Sequence, residues 1–287
     1  MIKIKYLIQF FIIILLFGLF KILGIYLSSK ISKVLFILFG PFFRSKNTFE
    51  KNIKKVFPNI DENFKNKIYK DMWSNYGMMF SEYMFIKNFR NSKKFKKNLI
   101  IENEHILKKI KKDNKPVIFV SGHFNNFELM AMEIEKFGIN LAAIYRPLNN
   151  IFLNPLMENL RKKYICKKQI KKGISGTKQI LKEFKNGASI ALMIDQRVSE
   201  GIRSNFFNHK ALTTTIPAQF VKKFNTKIVP IYIERLNNYH FKLTVYDSLE
   251  FDEEHDIETI TFKLNKTLEN MILKNPSQWI WTHDRWK

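Results

Sequence analysis

The sequence predicts an α/β fold, a central mixed, mostly parallel sheet flanked by helices, preceded by an apolar amino-terminal helix at a membrane. Three observations carry this expectation. Across residues 111–287, short apolar runs of strand length alternate with stretches of helical spacing, the pattern that builds parallel sheets with crossover helices. Several of those runs end in polar or charged residues, and open α/β sheets gather functional groups beyond the carboxyl ends of their strands. The first 45 residues hold two apolar patches.

From Tyr6 to Leu27 the residues are apolar apart from Gln9, Lys21 and small residues, with an uninterrupted core from Phe10 to Phe20. A spanning helix needs about 20 residues, and enough are present if Lys21 reaches its ammonium toward the headgroups. The segment therefore either spans the bilayer or lies on it. A secretory signal peptide is a third reading, but no small-x-small cleavage site follows clearly. That reading also leaves the second patch, Val34 to Phe43, unexplained; against the bilayer it has a role. Lys30, Lys33, Arg44 and Lys46 after the span outnumber Lys3 and Lys5 before it, which favours a cytoplasmic body. Three regions follow: an anchoring segment at 1–45, a helical region at 46–110 and an α/β domain at 111–287.

Within the second region, Asp61-Glu62-Asn63 starts a helix that runs to Ile86, with Ile68, Met72, Trp73, Tyr76, Met79 and Phe80 along one side. That stripe reads as core. In the third, Pro116 to Val120 reads as a short buried strand, and Phe127 to Phe137 as a helix closed by Gly138, with Asn125 or Asn126 as its cap. Leu141 to Ile144 and Ala188 to Ile194 are further strands, with Gly176 to Lys185 as a crossover helix. Lys227 to Glu234 and His240 to Tyr246 form a hairpin across Asn237-Asn238, and Ile257 to Lys274 is the last helix.

Composition narrows the function classes. A chain that is 46% hydrophobic and 15% aromatic has ample material for a core, which excludes a disordered protein. The single cysteine, Cys166, excludes an intrachain disulfide, and no Cys/His spacing suggests a metal site. Cys166 lies in a lysine-rich stretch without a nearby acid-base partner and reads as structural. The absence of Walker or Rossmann glycine spacing argues against nucleotide-driven chemistry, and no cofactor is expected. The formal charge of +24 calls for an acidic partner or surface, although a chain rich in Lys, Asn and Ile throughout is also what nucleotide bias produces. Local clustering is better evidence. Residues 159–182 carry nine basic side chains, from Arg161 to Lys182, and no acid, whereas a solvated helix face mixes both signs. The candidate anions are phosphates and sugar carboxylates of a glycolipid, acidic bilayer headgroups, or an acidic carrier protein. Nucleic acid is not expected, because no recognised binding motif accompanies the charge.

The candidate chemistry sits at Ser121-Gly122-His123-Phe124-Asn125-Asn126-Phe127-Glu128. On a continuous helix, residues five apart point about 140° away from each other. His123 and Glu128 can meet only if His123 precedes the helix and Glu128 lies in its first turn. An imidazole and a carboxylate in that arrangement suit general-base catalysis on a hydroxyl, the carboxylate fixing the imidazole tautomer. Two other strands end similarly, in Tyr145-Arg146-Pro147 and in Asp195-Gln196. If they are parallel neighbours of the first, His123, Arg146 and Asp195 converge on one edge of the sheet.

The ordered set of His-x4-Glu, Tyr-Arg-Pro, Asp-Gln, Phe206-Phe207, Thr213-Thr214-Thr215, Ile228-Val229-Pro230 and a terminal Trp281-Thr-His283-Asp-Arg285-Trp286 resembles the lipid A late acyltransferases, the lauroyl and myristoyl transferases. The resemblance runs from the amino-terminal apolar segment to the end of the chain. It implies a glycerolipid-acyltransferase-like α/β fold on the cytoplasmic face of the bacterial inner membrane. It further implies transfer of an acyl chain from acyl carrier protein to a hydroxyacyl group of an anionic glycolipid, the lipid A precursor. On that reading His123 and Glu128 are catalytic, while Arg146, Asp195 and Gln196 bind substrate or organise the floor of the site. Two positions depart from the family pattern. Asn208 stands where Gly is usual, but Asn also tolerates positive φ, and Asp284 stands where Arg is common.

Overall fold

The computed structural model describes residues 2–287. The first helix, α1 (Ile2–Phe39), is long and apolar enough to cross a membrane. It breaks at Gly24 (φ 73°, ψ 166°), a conformation that glycine alone adopts without strain. The uninterrupted stretch before the break is about 33 Å long at 1.5 Å per residue, close to the thickness of a hydrocarbon core. The kink frees helical carbonyls, and the buried Ser28 hydroxyl lies within hydrogen-bond distance of two of them, 2.8 Å from Phe20 O and 2.7 Å from Gly24 O. The single hydroxyl proton serves one of these carbonyls at a time, which offsets part of the cost of the break.

α1 does not stand apart from the body. Ser32 donates to Gly77 O at 2.6 Å on α3 (Glu62–Glu82), and a Cβ at Gly77 would lie 2.3 Å from Ser32 O. The helices can approach this closely because residue 77 has no side chain. Phe17 and Phe20 pack with Tyr83, Leu153 and Met157, and the Asn150 amide donates to Tyr6 O at 2.8 Å, so one side of α1 rests on the protein. The other side leaves Ile8, Phe11, Ile12, Leu15, Leu19 and Ile22 exposed, an apolar stripe suited to lipid.

The central strands are buried beneath helices. α2 (Lys46–Val56), capped by Ser45, and α3, capped by Asp61, share one core with the sheet through Phe49, Ile53, Ile68, Met72 and Trp73. α3 ends at Glu82, earlier than its expected continuation to Ile86; a turn of 3₁₀ helix intervenes before α4 (Ile86–Asn91) and the short α5 (Lys93–Lys96). The region expected to be wholly helical also holds β1 (Leu99–Glu102), followed by α6 (Glu104–Asp113). β1 was hidden because it is an edge strand with alternating exposure among lysines and asparagines, too short to reveal a period.

The remaining elements are β2 (Ile118–Ser121), α7 (Glu128–Lys136), β3 (Leu141–Tyr145), α8 (Leu153–Tyr164), β4 (Lys168–Lys171), α9 (Ile174–Lys185), β5 (Ser189–Met193), β6 (Ile202–Phe206), β7 (His209–Thr213), α10 (Ile216–Phe224), β8 (Ile228–Asn237), β9 (His240–Val245) and α11 (Ile257–Lys274). The main sheet has seven strands in the order β1-β9-β8-β2-β5-β3-β4. All its pairings are parallel except the β8–β9 hairpin, which turns at Asn238-Tyr239, one residue later than the expected Asn237-Asn238, because Asn237 still pairs with His240. The sheet is therefore mixed and mostly parallel, as expected. β2 is buried on both faces, which explains the unbroken apolar run Ile118-Phe119-Val120 before Ser121. β6 and β7 form a separate hairpin, turned by Phe207 and Asn208, both at positive φ. Asn208 thus serves where the resemblance leads one to expect Gly.

Candidate active site

Sheet register builds the site. β2 and β5 pair in parallel with Ser121 opposite Met193, so the residues two positions beyond each strand, His123 and Asp195, emerge side by side. The His123 ring bonds Asp195 Oδ1 through Nδ1 at 2.7 Å, and the His123 backbone N–H donates to Oδ2 at 2.8 Å. The Trp279 indole N–H donates to the same Oδ2 at 2.9 Å. Asp195 is fully buried, whereas the His123 side chain keeps 22% of its exposure. Burial by itself would raise the Asp195 pKa; the His123 charge and these donors outweigh it and hold the group at about 2. An ionised Asp195 only accepts, so the Nδ1 that faces it carries a proton, and in the uncharged tautomer of the ring Nε2 is the lone-pair nitrogen.

Glu128 has other partners. It is the first residue of α7, where a carboxylate is favoured by the helix dipole. It accepts from Arg161 Nε at 2.8 Å and from the Tyr83 hydroxyl, and Arg161 Nη2 lies 2.7 Å from its Oε1. Burial lowers the Arg161 pKa, but Glu128 and Tyr83 raise it further, and the net direction is up. Desolvation and the Glu128 charge drive the Tyr83 phenol up as well. Among the described residues, the hydrogen bond expected between His123 and Glu128 is absent: Asp195 takes the imidazole and Arg161 takes Glu128. The reason is directional. Strand register aims Asp195 at Nδ1, while Glu128 at the head of α7 turns toward α8, which carries Arg161.

Asn125 and Asn126 do not cap α7, whose N-cap residue is Phe127. They tie the turn down instead. Asn125, at φ 26°, donates to Ile233 O at 3.0 Å and Gln278 Oε1 at 2.7 Å, and Asn126 donates to Glu82 Oε2 at 2.8 Å. Glu82 in turn pairs with the buried Arg235. This polar network joins α3, the β2–α7 turn, β8 and the carboxyl-terminal segment behind His123.

Arg146 lies exposed at the end of β3. Because β5 separates β3 from β2, Arg146 starts two strand spacings from His123, about 10 Å along the sheet. Lys172 at the end of β4 donates its backbone N–H to Tyr145 O at 2.9 Å, so two cations stand at this end of the sheet. Gln196, half-buried, follows Asp195 directly, and the next backbone N–H, of Arg197, donates to His283 Nε2 at 3.0 Å. Burial holds the His283 pKa below its ordinary value, in keeping with an Nε2 that accepts. Of the nine basic residues in 159–182, Arg161, Lys168 and Lys171 are paired with Glu128, Glu183 and Glu158.

A cleft opens beside His123, walled by Met72, Tyr76, Met79, Phe127, Trp279 and Ile280. Its surface is mainly apolar, and the ring edge of Phe127 packs on His123 at 4.8 Å between centroids. The cleft, about 30 Å³, has room for little more than a water-sized group beside the imidazole.

A family model described as bacterial lipid A biosynthesis acyltransferase matches residues 1–287. The chain belongs to that family. It is similar to lipid A biosynthesis acyltransferase 2 of Shigella flexneri, 24% identical over 199 residues, covering 67% of this chain and 62% of that protein. It is likewise similar to the lipid A biosynthesis acyltransferase of Haemophilus influenzae, 24% identical over 244 residues, covering 83% of this chain and 76% of that protein. The match thus spans less than two thirds of the Shigella protein's length.

In this family member, sequence reasoning overlooked Tyr83, Trp279 and the pairing role of Arg161. Tyr83 and Arg161 carry no local signal, being brought to Glu128 from 45 and 33 positions away. Trp279 lies just before the terminal aromatic and basic cluster, so that cluster was the available hint. Its Arg285 is fully buried, donates to Leu212 O and Thr213 Oγ1 at 2.7 Å each, and is pulled down to about 10 by burial.

Proposed function

We propose that the protein transfers a fatty acyl chain of the lauroyl or myristoyl class from acyl carrier protein to a hydroxyacyl group of a lipid A precursor. The work would occur at the cytoplasmic face of the bacterial inner membrane. The observation that carries the reading is the His123–Asp195 pair opening on an apolar cleft, in a chain of this family.

In the proposed mechanism, His123 Nε2 takes the proton of the acceptor hydroxyl as its oxygen attacks the thioester carbonyl. The tetrahedral intermediate collapses with cleavage of the C–S bond, and the imidazolium returns the proton to the departing thiolate. Asp195 holds Nδ1 protonated and offsets the charge that develops on the ring. Glu128 is a positioning residue that fixes the head of α7 through Arg161 and Tyr83. Arg146, exposed and removed from the imidazole, binds an anionic part of a substrate, and Gln196 lines the floor beside Asp195. The unpaired lysines of 159–182 supply an electropositive surface for the acidic carrier or acceptor.

Mass spectrometry of lipid A from cells with and without the gene tests the reading. Loss of one acyl chain is the expected result and names its length; an unchanged lipid A accompanied by a change in another glycolipid or glycerolipid would move the activity to that acceptor.

A further inference from the structure

A second cavity lies behind the catalytic cleft, and its lining is polar. It opens between the carboxyl half of α1, α3 and the β8–β9 hairpin, with Ser29, Lys30, Lys33, Lys67, Arg235 and Ser277 among its walls. Three features distinguish it. Its one lining carboxylate, Asp71, sits 3.4 Å from Lys67, and the Arg235 charge is met by Glu82, while Lys30 and Lys33 have no acidic partner among the described residues. The Ser29 side chain is 96% buried by the residue's 4% exposure, yet its hydroxyl has no hydrogen-bond partner, a state that costs free energy unless a ligand completes it. Finally, Asn75, Ser277 and Gln278 line both this cavity and the catalytic cleft, so the two share a wall.

Position adds to chemistry. Lys30 and Lys33 lie six and nine residues past the Gly24 break, on the half of α1 that Ser32 ties to α3. Lys30 also lies over the Tyr26 ring at 4.3 Å, which restrains its stem. Two free ammonium groups and an unpartnered buried hydroxyl suit the oxygens of a phosphomonoester, which accept several charge-assisted hydrogen bonds at once.

We propose that this cavity binds a sugar phosphate of the acceptor glycolipid, holding it across the shared wall while the hydroxyacyl chain reaches His123; the identity of the bound molecule rests on the acyl-transfer reading, the phosphate chemistry does not. The proposal makes the cavity a specificity element for phosphorylated acceptors. It also gives Lys30 and Lys33 a role beyond membrane orientation.

The test uses the full chain in phosphatidylcholine nanodiscs, with glucosamine 1-phosphate and glucosamine as probes read by calorimetry. The phosphate should bind at least tenfold tighter than the bare sugar. The double variant Lys30→Gln/Lys33→Gln should weaken it about tenfold, two partly exposed charged contacts contributing comparably. Ser29→Ala should weaken it about fivefold, the effect of one hydrogen bond, while leaving the melting temperature equal or higher because an orphan hydroxyl has been removed. Lys109→Gln/Lys112→Gln on α6 removes the same charge without lining the cavity and should leave affinity unchanged. Equal affinity for the two probes, or an effect of the α6 pair as large as that of Lys30 and Lys33, would overturn the proposal. Displacement of glucosamine 1-phosphate by phosphatidic acid doped into the disc would overturn the assignment to the acceptor, naming a bilayer headgroup as the occupant. No acyl turnover enters these measurements, so failure of the acyl-transfer reading is detected separately.

Discussion

Asp195→Asn separates Asp195 from Glu128, the carboxylate to which the sequence reading gave the imidazole. In the native site, Oδ2 accepts from both the His123 backbone N–H and the Trp279 indole N–H, so an amide at residue 195 places its oxygen there. Its NH₂ then occupies the Oδ1 position, 2.7 Å from Nδ1, and donates to it. Nδ1 must become the acceptor, the proton moves to Nε2, and the ring loses the lone pair required of a base. The analogous tautomer reversal in serine proteases costs about 10⁴ in rate, so a loss of about 10³ to 10⁴ in kcat is expected with little change in KM. Glu128→Gln acts elsewhere: it leaves the Arg161 charge buried without its carboxylate, a cost of about 3–5 kcal/mol in stability, with a smaller loss in kcat at temperatures where the variant stays folded. The assay is single-turnover acyl transfer from a thioester donor, with circular dichroism confirming the fold. If Asp195→Asn retained turnover within tenfold of wild type while Glu128→Gln, still folded, lost a thousandfold, the orienting role assigned to Asp195 would be refuted and returned to Glu128.

Three further outcomes follow from the packing. Cys166 is buried, its thiol pushed up to about 12 by desolvation and bonded to Leu141 O at 3.2 Å, so N-ethylmaleimide at pH 8 should leave the native protein unlabelled and modify it once after denaturation. His283 has a folded pKa below its unfolded value near 6.5 because it is buried; stability on this account is present at neutral pH and falls as pH drops below about 6.5, and the melting temperature of His283→Gln should decline less steeply between pH 7 and pH 5. Gly77→Ala drives a methyl against the Ser32 carbonyl of α1, and a loss of about 2 kcal/mol or more is expected in thermal unfolding, with α1 more open to proteolysis in detergent.

The elements that were legible in the sequence are those whose local pattern decides them. Asp61 caps α3 through the Phe64 N–H, the β8–β9 hairpin turns at Asn238-Tyr239 within one residue of its expected place, and α11 runs from Ile257 to Lys274 as its periodicity and the Asp256 cap dictate. β4 was not legible because it lies inside a run of lysines, where the composition suggested only a charged surface. Three of those cations turn out to face carboxylates supplied by other segments, pairings set by long-range contact. The Glu82–Arg235 pair likewise joins residues 153 positions apart and has no local signature.

Strand order is the step that fixed the site and that periodicity could not supply. The sequence offered three strand ends, carrying His123, Arg146 and Asp195, and any of three could have been the central one. Placing β5 between β2 and β3 makes Asp195 the neighbour of His123 and sends Arg146 to the far side of it. Had β3 lain beside β2, the guanidinium of Arg146 would have stood next to the imidazole, where a cation opposes the charge a general base must acquire. The observed order instead sets an anion against Nδ1 and leaves the cation about 10 Å away, a distance suited to an anionic group on the substrate. An Asp195→Asn variant therefore tests more than one side chain: it tests whether the register of Ser121 with Met193 is what turns His123 into a base.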